Sequence, residues 1–135
     1  MAMDAISLIA TVTQLMGPIT DLYQQQKKAD TRIKPSAAVV RQYEDAVYAF
    51  RDQKVSGAVK GIVQILLDSV EAFEGGRVLD AGRAVMMAIE QCEAAGNDLE
   101  ITITPDELAT LQRYRTQLFK LVVPSPELKQ KRMDL

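Results

Sequence analysis

The chain has 135 residues, of which 47% are hydrophobic and 25% charged, with a formal net charge of -2, and these values are typical of one globular domain. It contains no histidine, which excludes Ser-His-Asp and Cys-His catalysis and every metal site built on histidine. Cys92 is the only cysteine, which excludes an internal disulfide and multi-cysteine metal sites and fits an intracellular compartment.

The N-terminal segment is predicted to form a helix that Asp4 caps, because apolar residues recur there at intervals of three and four. Gly17-Pro18 predicts that this helix is kinked or broken at residues 17–18, since proline removes a backbone donor and crowds the preceding turn. The recurring apolar residues are Ile9, Val12, Met16, Ile19 and Tyr23.

Residues 5–20 contain no charged side chain and admit three interpretations. A core helix is favoured, since this run is shorter than the roughly 17 to 25 residues of a membrane span. The second interpretation is contact with another protein through the polar side, where Ser7, Thr11 and Gln14 lie opposite the apolar face. Membrane association is disfavoured, because that polar side lacks Lys and Arg.

Three further helices are predicted between residues 36 and 95. Ser36 starts the second helix, and the third runs from about 57 to 74 and stops at Gly75-Gly76. The fourth spans about 77 to 95.

Two features of the third and fourth helices are candidate contacts with a partner. Gly57 and Gly61 form a GxxxG spacing, which permits close helix approach, although a frayed helix start is the favoured explanation in water. Met87 projects among charged residues, and its flexible thioether suits contact with another surface. Isolated exposed apolar residues are also common on monomers.

The segment "LEITIT", residues 99–104, breaks the helical pattern because apolar and polar residues alternate. It predicts either a strand that pairs with another copy of the chain or an extended connector that packs its apolar residues, and the connector is favoured.

The segment "TPDE" is the clearest local signal in the sequence. Thr104 is placed as N-cap, Pro105 at the first helical position and Glu107 to complete a capping box. These residues predict a fifth helix that runs to about residue 122. Ser125 repeats the pattern and predicts a short C-terminal helix.

Arg115 and Cys92 both lie on apolar faces of the predicted helices, one as a charged exception and one as a small apolar residue. Arg115 falls between Leu111 and Leu118, so it is expected either to pair with an acid from residues 61–110 or, as favoured, to reach water. Pairing across a subunit boundary would instead set the register of an assembly. Cys92 lies on the inward face and is interpreted as a small buried apolar residue.

The sequence contains few candidate catalytic or binding motifs. Two carboxylate pairs, Glu71/Glu74 and Glu90/Glu93, are expected on wet faces without a pocket to raise a pKa. Walker A, GxGxxG and zinc spacings are absent from the sequence. We therefore expect no enzyme, cofactor, metal or small-molecule substrate. Nucleic acid is disfavoured as a partner by the pI near 5.2.

Charge is distributed in blocks along the chain. Residues 1–26 carry -2, residues 27–60 carry +4, residues 61–110 carry -8 and residues 111–135 carry +4. Solvated helix faces are the favoured explanation. The order of these charge blocks would also let the acidic middle of one copy contact the basic segments toward the ends of another copy.

The sequence thus predicts an all-α, single-domain bundle of about five helices, with a short extended segment near 99–104 and a short C-terminal helix. The expected function is a non-enzymatic structural or protein-interaction subunit of a homo- or hetero-oligomer, for which a virion or phage component is one setting. We expect it in the cytoplasm or in an assembled particle, since no basic region that would mark a secretory signal follows Met1. Two alternatives are a membrane-associated protein acting through residues 5–20 and an acidic binding module or inhibitor of a basic partner.

Overall fold

Five α-helices account for most of the chain in a computed structural model, which describes residues 3–4, 6–52, 57–98 and 101–122. The all-α single-domain bundle predicted from the sequence is confirmed, whereas the C-terminal helix predicted from Ser125 lies outside the described residues. The elements are β1 (Met3–Asp4), α1 (Ile6–Ala29), α2 (Ala37–Arg51), α3 (Gly57–Glu74), α4 (Val78–Asn97), β2 (Ile101–Thr102) and α5 (Pro105–Val122).

The five helices surround one apolar core. Each helix contacts the next one in sequence, and α1 also contacts α4 and α5. A hydrogen bond of 2.9 Å between the hydroxyls of Thr13 and Tyr114 joins α1 to α5. Because α4 packs against α1, α3 and α5, its exposed side chains are confined to one outward face.

The uncharged N-terminal segment contributes one side of this core, as predicted for a core helix. α1 continues through Gly17 and Pro18, so the proline does not break it. The hydrogen bond that proline removes would reach the carbonyl of Gln14, an exposed residue whose carbonyl can turn to solvent. No helix within the described ranges is both long enough and apolar enough to cross a membrane. The buried side chains of α1 include Leu8, Val12, Leu15, Ile19 and Leu22.

Residues 101–102 pair within the chain, which neither predicted alternative included, whereas the predicted packing of apolar residues from this extended segment is confirmed for Ile101 and Ile103. β2 lies parallel to β1, with Met3 opposite Ile101. The prediction that Asp4 caps the first helix is therefore wrong, since Asp4 belongs to β1 and precedes the start of α1. Alternation along a sequence indicates an extended conformation but carries no information on a partner at the other end of the chain.

The caps predicted for α2 and α5 are confirmed. The Ser36 hydroxyl accepts a hydrogen bond of 3.3 Å from the backbone N–H of Val39 at the start of α2. At the start of α5 the Glu107 N–H donates to the Thr104 hydroxyl at 3.2 Å, and the Thr104 N–H donates to the Glu107 carboxylate at 2.8 Å. This reciprocal pair is the capping box.

The turn between α3 and α4 depends on Gly76, whose φ of +78° lies in the left-handed region. A Cβ at this position would also lie 3.1 Å from the Ile33 carbonyl oxygen. The Gln26 amide donates to the carbonyls of both Ile33 and Gly76, at 2.9 and 2.7 Å. The segment after α1 is thereby held against the α3–α4 turn.

A buried hydrogen-bonded pair joins α2 to α3. The Tyr43 hydroxyl donates to the Ser69 hydroxyl at 2.8 Å, and Ser69 donates onward to the Leu66 carbonyl at 2.6 Å. Tyr43 is 1% exposed and Ser69 is fully buried. Burial raises the pKa of Tyr43 far above its ordinary value, so this hydroxyl stays a donor throughout the neutral range.

Replacing Ser69 with alanine is expected to destabilise the protein more than replacing Tyr43 with phenylalanine. Ser69→Ala leaves the buried Tyr43 hydroxyl without a partner, at a cost of about 1–3 kcal/mol. Tyr43→Phe removes that donor and leaves the Ser69 bond to Leu66 in place, so the loss is about 1 kcal/mol. Urea unfolding of both variants measures the difference, and an equal loss in both would contradict the assigned donor direction.

Candidate interaction surface

Two large apolar side chains are exposed among the residues that the structure describes. Met87 on α4 is 49% exposed and Phe119 on α5 is 54% exposed. The side chains on the inward sides of both helices are buried, as Val85 and Ile89 of α4 and Leu118 of α5 show. The exposure of Met87 and Phe119 is therefore not a result of loose packing in the core.

Two contacts between α4 and α5 set Met87 and Phe119 at the same level of the two helices, and each lies four residues after a contacting arginine, on the same side of its helix. The Arg83 guanidinium donates to the Val122 carbonyl at 3.4 Å, and the Arg115 Nε lies 3.3 Å from Glu90 Oε1. Since the later residue of α4 meets the earlier one of α5, the helices run antiparallel. Met87 lies between the two contact residues of α4, and Phe119 lies between those of α5.

Charged side chains border this pair at both ends. At one end Asp80 accepts a hydrogen bond of 3.1 Å from Arg83 and also lies 3.6 Å from Arg77. At the other end Arg115 pairs with Glu90. We call the resulting surface the α4–α5 face and define it by Asp80, Arg83, Met87, Glu90, Arg115 and Phe119.

Arg115 pairs with acids of the 61–110 stretch, the first of its predicted alternatives, and both partners belong to the same chain. Besides Glu90, its guanidinium lies 3.7 Å from Glu93 Oε2. The expectation that Glu90 and Glu93 are both wet is wrong for Glu93, whose side chain is only 18% exposed. Its Oε1 is buried and has no hydrogen-bond partner among the described residues. Arg115 thus supplies the charge that compensates a carboxylate in the α4–α5 seam.

Of the predicted interface residues, Met87 and Arg115 come together on this face, and the α3 glycines do not. Gly61 faces α4 within the chain, and a Cβ there would lie 3.2 Å from Gln91 Oε1. Gly57 is the first residue of α3, and its surroundings lie outside what the structure describes.

The three residues predicted on the polar side of α1 are not equally accessible. Gln14 is exposed and Ser7 is half-buried. Thr11 is only 5% exposed, so its side chain offers little surface to another chain. Its hydroxyl donates to the Ser7 carbonyl at 3.0 Å, which allows a polar side chain to be buried without losing its hydrogen bond.

Phe119 is the apolar residue of the face that was not predicted from the sequence. The buried residues of α5 are Leu111, Leu118 and Val122, and Phe119 is out of phase with them. An aromatic residue off the apolar stripe of an otherwise amphipathic helix was the available signal. It could have been set beside Met87 only with knowledge that α4 and α5 are antiparallel neighbours.

Cys92 lies beneath this region and is fully buried, as predicted. Burial raises the pKa of its thiol to about 11, and the negative charges of Glu93 and Glu107 add to the shift. A thiol with this pKa is protonated at neutral pH and is a poor nucleophile.

Comparison with known proteins finds no family model that matches the chain, and neither a curated protein nor a solved structure with significant similarity to it.

Proposed function

We propose that this chain is a non-enzymatic protein-interaction subunit of an oligomeric assembly, and that the α4–α5 face is its contact surface. The observation that carries the proposal is the exposure of Met87 and Phe119 at the same level of two neighbouring antiparallel helices. Aromatic residues and methionine are enriched where proteins bind one another, and charged residues are depleted from the centre of such interfaces. On the α4–α5 face, the two exposed apolar side chains lie between charged pairs at the two ends.

The charged borders of the face also suit an interface. Arg83 and Arg115 each have a carboxylate partner within the chain, so they would enter a contact already paired. The side chains of these pairs are about half exposed, and such surface ion pairs stabilise a fold by only about 0–1 kcal/mol. They can consequently be shared with a partner at small cost to the fold.

The alternative of an acidic module that captures a basic partner has weaker support. Asp68 and Glu71 are exposed on α3, but Glu90 and Glu93 already pair with Arg115. The alternative of membrane association through residues 5–20 conflicts with the burial of that segment's apolar side chains in the bundle core.

Replacing both apolar residues of the face with serine is expected to remove the chain from its complex. Met87→Ser/Phe119→Ser deletes exposed apolar area and leaves the core intact, so the variant folds and the complex dissociates. Sedimentation velocity of the labelled full-length chain in an extract of its source cells measures the effect. Wild type is expected well above 14.9 kDa and the variant at 14.9 kDa.

The matched control is Ala38→Ser/Ala49→Ser, two exposed positions on α2, which should leave the complex unchanged. If the Met87→Ser/Phe119→Ser variant sediments with wild type, or if wild type itself sediments as a single chain, the α4–α5 face is not a contact surface.

A further inference from the structure

The outward side of α4 carries a stripe with the spacing by which helices pair. Its members follow one another at alternating intervals of three and four residues, and each is exposed. This a/d spacing places them along one seam, where a second helix can lie along the first. The stripe consists of Asp80, Arg83, Met87, Glu90 and Ala94.

The order of charges along the stripe is self-complementary. Arg83 lies four residues before Met87, and Glu90 lies three residues after it. If two copies of α4 cross antiparallel with a two-fold axis at Met87, Arg83 of each copy lies against Glu90 of the other. A parallel arrangement would set Arg83 against Arg83 and Glu90 against Glu90, and like charges oppose contact.

We propose that the occupant of the α4–α5 face is a second copy of this chain, bound antiparallel through α4 with Met87 on the two-fold axis. The inference rests on the proposed function, because it names the partner of the same face. A two-fold interface uses the same patch on both copies, so every favourable contact of Arg83 with Glu90 occurs twice.

The pairs already present within the chain extend this complementarity. Asp80 pairs with Arg83, and Glu90 pairs with Arg115. In the dimer these two pairs form one row of charges that alternate in sign. Asp80 and Arg83 of one copy are followed by Glu90 and Arg115 of the second copy. Phe119 is exposed on the neighbouring helix α5 at the level of Met87, and in the dimer it adds apolar area at each flank of the axis. At the outer end, Asp80 meets the small side chain of Ala94, which leaves room for close helix approach.

The test reverses single charges on the full-length chain and measures mass by light scattering during size exclusion. Wild type is expected to reach twice 14.9 kDa with rising concentration. Arg83→Glu sets two acids against each other, and Glu90→Arg sets two bases against each other. Each variant is expected to raise the dissociation constant at least ~10-fold. As a matched control, Glu71→Arg reverses an exposed charge on α3 and should leave the dimer unchanged.

Mixing the two variants separates the proposed contact from a general loss of folding. An Arg83→Glu chain and a Glu90→Arg chain present opposite charges at both crossings, so the mixture should recover the wild-type dimer although each chain alone does not. Wild type that stays at 14.9 kDa overturns the inference, whether the face then binds residues 123–135 or another protein. So does a mixture that remains monomeric. In either case the proposed function stands if the Met87→Ser/Phe119→Ser variant still leaves the complex in extracts.

Discussion

Replacing Phe73 with alanine is expected to lower the free energy of unfolding by about 3–5 kcal/mol, which corresponds to a fall in Tm of about 10–20 °C. Phe73 is fully buried, and its ring stacks on that of Tyr43 with centroids 4.4 Å apart and planes 11° from parallel. The substitution removes both the buried apolar area and the aromatic contact that ties α3 to α2. Total stabilities of domains are only about 5–15 kcal/mol, so this single change removes a large share.

Phe119→Ala is the matched control, since it makes the same chemical change at a position that is 54% exposed. Its expected effect on the free energy of unfolding is within about 0.5 kcal/mol. Chemical denaturation followed by circular dichroism measures both variants. A loss of less than about 1 kcal/mol for Phe73→Ala, or equal losses for both, would contradict the assignment of Phe73 to the core and Phe119 to the surface.

This contrast explains why stability and the proposed binding can be tested separately in this chain. Met87 and Phe119 lie outside the packed core, so their replacement changes what the surface offers to a partner without opening a cavity. Arg115 differs from them, because it also compensates Glu93 in the α4–α5 seam. A substitution of Arg115 would therefore mix an effect on association with an effect on folding. The association tests use Arg83 and Glu90 instead, and because Glu90 pairs with Arg115, they include the mixture of variants that separates the two effects.

The helices were predictable from the sequence because their signals are local. Hydrophobic periodicity gave the core faces, and Ser36, Thr104 and Gly76 gave the ends by hydrogen bonding or backbone conformation within a few residues. The pairing of β1 with β2 was not predictable, since it joins opposite ends of the chain. Parallel strands need a long connection, and here four of the five helices intervene between their partner segments.

The candidate site was only partly predictable, for two physical reasons. A helical wheel gives the direction of each side chain but not the position of neighbouring helices, so Arg115 looked misplaced when it in fact faces Glu90 and Glu93 across a seam. The wheel also places every Ser and Thr on the outward side. Thr11 can nevertheless be buried, because its hydroxyl donates a hydrogen bond to the carbonyl four residues earlier. Both errors arise from tertiary contacts that a single helix does not record.

Cys92 is expected to react with a thiol reagent at pH 8 at least ~100-fold more slowly in the native protein than in the unfolded chain. Its side chain is fully buried, so the reagent reaches it either by attack on the rare native thiolate or after local opening. With a pKa of about 11, about one native thiol in a thousand is ionised at pH 8, against about a quarter at the ordinary pKa near 8.5. The opening route is slow as well, because segments of the core open in only a small fraction of molecules.

Because Cys92 is the only cysteine, the absorbance change with a disulfide reagent reports this one thiol, in buffer and in concentrated denaturant. A matched control places a cysteine on the surface, as Cys92→Ala/Thr116→Cys, since Thr116 is exposed on α5. That variant should react in buffer at nearly its unfolded rate. If native Cys92 instead reacts within about tenfold of its unfolded rate, the thiol is accessible and activated. In that case the packing of α4 around it and the assignment of a purely interacting role would both be wrong.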